Sequence, residues 1–128
     1  MFELVINKNT YQFNFGFGFV KDLDPTVTQP IEGVKGQVQN MGVHFAIAKL
    51  IDGDIFALID VLKRGNKGFT PRLEEEEIVA HIENLDTNIE EMFDTVLGFF
   101  EKSNFTKKKA KELKEYVEKE KAKQNQTA

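Results

Sequence analysis

A chain of 128 residues, 41% apolar and 30% charged, has the length of one domain and can bury roughly two thirds of the surface it exposes when unfolded. The absence of cysteine excludes disulfide frameworks, thiolate zinc sites and cysteine nucleophiles, and points to a reducing cytoplasm. Net charge is −4 but unevenly placed: residues 106–128 carry eight Lys and four Glu, leaving −8 on the body upstream, an arrangement that favours head-to-tail attraction between copies over the ~10 Å that salt allows.

The opening MFELVINKN has neither the basic start nor the long apolar run of a secretory signal. The most apolar stretch, residues 43–62, is interrupted by Lys49, Asp52, Asp54 and Asp60, so the sequence predicts a soluble, unexported protein with no membrane partner. Phe2, Leu4 and Ile6 alternate with polar or outward residues, Asn7-Lys8-Asn9 supplies turn chemistry, and alternation resumes at Tyr11, Phe13 and Phe15, which predicts a β-hairpin with one apolar face. Aromatic side chains occupy every odd position from 11 to 19. A continuing strand would gather them into one apolar ridge, whereas a switch to a short helix near Gly16 would pair Phe15 with Phe19 and Phe19 with Leu23 at i,i+4.

Residues 24–42 hold two prolines and three glycines without a helical period and are expected to form a long arm, ordered by a neighbour or mobile until it finds one. Residues 43–51 and 55–62 are apolar almost all round, and Asp52-Gly53-Asp54 between them signals a helix stop followed by an N-cap, hence an αα-hairpin that must be surrounded on every side. Gly65 ends its second helix and residues 66–69 form a loop. Thr70-Pro71 with residues 74–77, all Glu, predicts the start of a third helix. Thr87 with Glu90 fits a capping box for a fourth, whose Ile89, Met92, Phe93, Val96, Phe99 and Phe100 recur on one face. Ser103-Asn104 interrupts that stripe, and a last helix near residues 106–121 carries Ala110, Leu113, Tyr116 and Val117 as an apolar seam among i,i+4 pairs such as Lys111/Glu115. The fold class is therefore α+β and mainly α: an N-terminal hairpin (residues 1–20), an arm (24–42), an apolar helical core (43–103) and a charged C-terminal helix and tail (106–128). The hairpin packs on a bundle of about four to five helices.

Catalytic chemistry has little to stand on. His44 opens an apolar helix, His81 has only Glu77 four residues before it, and capping explains Asp52 and Asp54 without Mg²⁺. Gly16-Phe17-Gly18 lacks the third glycine of a dinucleotide fingerprint, and Ser103, the sole serine, sits at a helix break. The lysines of residues 107–111 are interleaved downstream with Glu, which argues against nucleic acid. No cofactor and no metal site is expected, and the chain is not read as an enzyme. Twelve Phe and no Trp favour packing area over a polar site. Two apolar helices, an aromatic helix and an aromatic hairpin together offer more apolar surface than one copy readily hides, leaving some for self-association or for a groove that accepts an amphipathic helix.

VINKNTYQFNFGFGFVKDLD near the start, LIDGDIFALIDVLKRG in the middle and the Lys/Glu helix at the end resemble, in that order, the tail assembly chaperones of Gram-positive siphophages, those of lactococcal siphophages among them. The resemblance spans most of the chain and is strongest in residues 4–24 and 50–65. It implies a non-enzymatic protein of the host cytoplasm, absent from the finished virion, that forms a higher homo-oligomer. Its client would be the hydrophobic, helical tape measure protein, kept soluble until tail-tube subunits, a further partner, polymerise around it. On that reading Phe13, Phe15, Phe17, Phe19, Phe93, Phe99 and Phe100 would line the client groove, many weak contacts in register giving avidity while each stays breakable. The alternative is a structural tail-completion protein that locks into a ring and remains in the particle.

Overall fold

The structure, a computed structural model, describes the backbone of residues 1–127 and side chains through residue 124. Strands β1 (Phe2–Ile6) and β2 (Asn9–Phe13) pair antiparallel in the register Phe2 to Phe13 and Ile6 to Asn9. Asn7 and Lys8 close the hairpin at φ 49° and 72°, the left-handed pair that a two-residue turn needs to match strand twist. Ile6, Tyr11 and Phe13 are buried on its inner face, flanked by half-buried Phe2 and Leu4.

The strand ends at Phe13, so the aromatic ridge does not continue as one face. Asn14 donates its N–H to the Gly65 carbonyl (2.8 Å) and its Oδ1 accepts the Gly16 N–H (2.9 Å), a local turn that competes with the ladder. Helix α1 (Phe17–Leu23) begins there, and its i,i+4 period buries Phe19 and Leu23 while turning Phe17 outward. Of the two sequence readings, the helical switch is the one the chain adopts.

After a 3-10 turn at Asp24–Thr26, the expected arm is ordered by its own backbone. Strands β3 (Thr28–Pro30) and β4 (Val38–Asn40) form a second antiparallel hairpin, with Gly33 and Gly36 at φ 80° and 79° in its loop. All of it is exposed except half-buried Ile31. At its base the Met41 N–H bonds the Val27 carbonyl at 2.7 Å. Sequence patterning misses this hairpin because three-residue strands are too short to show a period.

Helices α2 (Gly42–Ile51) and α3 (Ile55–Gly65) form the predicted αα-hairpin. Gly53 takes φ 80°, and the Asp54 carboxylate caps α3 by accepting the Ala57 N–H at 3.1 Å. They are not surrounded on every side: Phe56 is 82% exposed, on the same outer face as Asp60, which pairs with Arg64 at 3.0 Å. Gly42 opens α2 against the end of α1, where any Cβ would collide with the Leu23 carbonyl oxygen.

Helix α4 (Glu75–Glu83) starts later than Thr70-Pro71 suggests, because the Leu73 N–H is taken by the Asn66 side chain and the backbone stays extended through Glu74. Helix α5 (Ile89–Lys102) is capped by Asn88, whose Oδ1 accepts the Glu91 N–H at 3.1 Å. Thr87, the expected cap, instead donates its hydroxyl to the His81 carbonyl at 2.6 Å. Helix α6 (Lys107–Thr127) packs on α5 and α2. Its seam consists of buried Ala110 with half-buried Leu113 and Val117; Tyr116 points to water. The ion pairs described on α6 are Lys114–Glu101 at 3.4 Å and Lys123–Glu120 at 3.6 Å. The fold is α+β and mainly α, with β1 against α4, β2 against α3, and α2 touching α1, α3, α5 and α6. No helix among the described residues is long and apolar enough to cross a membrane.

Candidate functional site

Phe15 is the hub of an aromatic nucleus. Its ring lies 4.9 Å from those of Phe19 and Phe100 and 6.1 Å from those of Phe2, Phe13 and Phe99, centroid to centroid. Phe2 stacks on Phe99 at 4.5 Å. Gly65 permits this, since a Cβ there would run into the Phe15 ring. Such offset and edge-on pairs each add about 0.5–1.5 kcal/mol beyond the area they bury.

The seven phenylalanines expected to line a client groove therefore separate. Phe13, Phe15, Phe19, Phe93, Phe99 and Phe100 are enclosed in the protomer's own core, and Phe17 alone is exposed, at 63%. Reaching any of the six would mean opening the core, and five of them, Phe13, Phe15, Phe19, Phe99 and Phe100, are in ring contact with one another. Their period was right for a helix or strand face, but period alone does not say whether that face meets the chain's own core or another molecule. The surplus of apolar area is correspondingly smaller than composition suggests.

Phe17 has a partner that sequence reading passed over. Phe105, 57% exposed, lies in the turn between α5 and α6 with its ring centroid 6.1 Å from that of Phe17. The turn is fastened to the aromatic nucleus at two hydroxyls: Ser103 donates to the Phe15 carbonyl and Thr106 to the Phe100 carbonyl, both at 2.7 Å. The pair is thus a rigid outcrop of the core. The available signal was Phe105 itself, an aromatic residue in a helix break that belongs to the stripe of neither helix.

Lysines are concentrated in the turn and helix start that carry Phe105. Residues 102–111 contain five lysines and no acidic residue, and the Lys21 Nζ stands 5.9 Å from the Phe17 ring centroid, within cation–π range. Four of these lysines, Lys107, Lys108, Lys109 and Lys111, open α6, which has no acid in its first turn. The helix macrodipole disfavours cations at that end, by about 0.3–1 kcal/mol each.

Groups that carry chemistry elsewhere hold structure here. The His81 Nδ1 accepts the Asn7 N–H at 3.0 Å, and Asn7 Nδ2 donates to Glu77 at 2.9 Å, so the suspected Glu77/His81 pair locks the first hairpin to α4. Asp54 is a cap, and no three His, Asp or Glu converge on a metal position among the described residues. His44, in the first turn of α2, has its Nδ1 buried without a hydrogen-bond partner. Burial, and secondarily the positive charge of Lys109, lower its pKa below the ordinary histidine value. The unfolded chain then takes up the proton first, so stability is full above pH ~6.5 and declines as pH falls below it. The melting temperature is expected to drop on acidification through that value, and His44→Phe should flatten the dependence in melts monitored by circular dichroism.

The fold is a mainly helical domain with a closed aromatic core and one exposed aromatic pair, Phe17 and Phe105, at its surface. Residues 3–115 match the family of the phage tail assembly chaperone protein, TAC. The chain belongs to the phage tail assembly chaperones. No curated protein and no solved structure matches it.

Proposed function

We propose that the protein is a non-enzymatic holdase for the tape measure protein of a siphophage infecting Gram-positive bacteria, acting in the host cytoplasm and leaving before the virion is complete. The observation that carries this reading is the exposed Phe17–Phe105 pair, an aromatic contact of the kind that anchors an amphipathic helix. One such anchor per copy is weak. Repeated along a homo-oligomer it holds a long helical client by avidity, and it yields when tube subunits compete for the same surface. The opposed charges of body and tail and the uncovered second hairpin support self-association.

Co-expression tests the proposal. The tape measure protein should stay in the soluble fraction with the wild-type chain and precipitate with a Phe17→Ser/Phe105→Ser variant that folds normally by circular dichroism. Equal insolubility with and without the wild-type chain would overturn it, and recovery of the chain from purified particles would assign it to the finished tail instead.

A further inference from the structure

The surround of the aromatic pair specifies what its client looks like. Any chain that covers Phe17 and Phe105 comes to lie beside Lys21, 5.9 Å from the Phe17 ring, and beside the start of α6, where Lys107 reaches back to Asn104 next to Phe105. Among the described residues those cations form no ion pair. The ion pairs among the described residues fall on Arg64, Lys67, Lys114 and Lys123, while Lys107 reaches only the Asn104 Oδ1, at 3.0 Å. Of the acids nearby, Asp22 is engaged by Lys67 and Glu101 by Lys114. The lysines at the start of α6 also oppose its macrodipole, so their placement does not serve the helix that carries them.

Resting on the reading of this pair as the client contact, we infer that the segments it holds are amphipathic helices whose apolar stripe is flanked by Asp or Glu. Opposite charge at the rim speeds encounter, fixes register and rejects segments with basic flanks. A rim contact of this kind is screened by salt, whereas the aromatic contact beneath it is not.

The test uses the full chain and three labelled helical peptides that share one Leu/Phe stripe and differ only in flanks of Glu, Gln or Lys, read by fluorescence anisotropy. The Glu peptide is expected to bind about tenfold more tightly than the Gln peptide at low salt, the Lys peptide most weakly, with the differences shrinking by 0.5 M NaCl. Lys21→Glu/Lys107→Glu/Lys108→Glu should reverse the order. Lys107→Glu/Lys108→Glu alone should raise the melting temperature, because acids suit the start of α6. Equal affinities for the three peptides, or a lower melting temperature in that double variant, would overturn the inference and leave the holdase reading standing. Binding of no peptide, together with a concentration-dependent mass that Phe105→Ser abolishes, would assign the surface to a second copy and overturn it as well.

Discussion

Phe15→Ala is expected to cost about 3–5 kcal/mol of folding stability, measured as the shift of the urea midpoint at constant m-value. The ring is 1% exposed and meets five other aromatic rings, so alanine leaves a cavity that neighbours on a hairpin and two helices cannot jointly fill. Phe17, two residues on, should behave oppositely. Its ring faces water, and Phe17→Ala should change stability by no more than about 0.5 kcal/mol while weakening retention of the tape measure protein. The contrast separates a core residue from a surface one by experiment. A Phe15→Ala variant as stable as the wild type would sink this placement of the aromatic segment.

Asn66→Ala is expected to cost about 3 kcal/mol or more, since it strands several buried polar groups at once. Asn66 is fully buried at the end of α3. Its Nδ2 donates to the carbonyls of Gln12 (3.0 Å) and Pro71 (3.2 Å), and its Oδ1 accepts from the Leu73 N–H (2.6 Å) and from Arg72 (3.2 Å). The amide thereby uses its whole hydrogen-bonding capacity to tie the outer edge of β2 to the segment leading into α4. Asn66→Asp should not rescue it, because a carboxylate would face two carbonyl oxygens where an NH₂ now stands. Chemical denaturation of the two variants checks this; a loss below 1 kcal/mol in both would show that the strand edge does not depend on the amide.

The elements legible in the sequence are those whose signals agree at several levels. The first hairpin has alternation plus turn residues, the αα-hairpin has apolar runs plus Asp52-Gly53-Asp54, and α5 has a helical period carried by Met92, Phe93, Val96, Phe99 and Phe100. Boundaries were less legible where a distant group decides them: Asn66 delays α4, and Asn14 ends β2. Of the seven phenylalanines expected at a client face, Phe17 alone is exposed. The six enclosed phenylalanines have the same spacing that a client face would have, and only tertiary structure distinguishes them. Phe105 and Asn66 sit in breaks between elements, where periodicity carries no information and where one residue's surroundings decide its role.

The second hairpin leaves the body and returns to it across a single hydrogen bond, Met41 N–H to Val27 carbonyl. Because the two ends are already adjacent, the intervening residues behave as an insertion: lengthening them adds only about 0.6 kcal/mol of closure entropy per doubling, and a tight turn suffices to replace them. Such a graft point lets one scaffold exchange its projecting finger, and with it any contact that finger makes, without renegotiating the aromatic nucleus underneath.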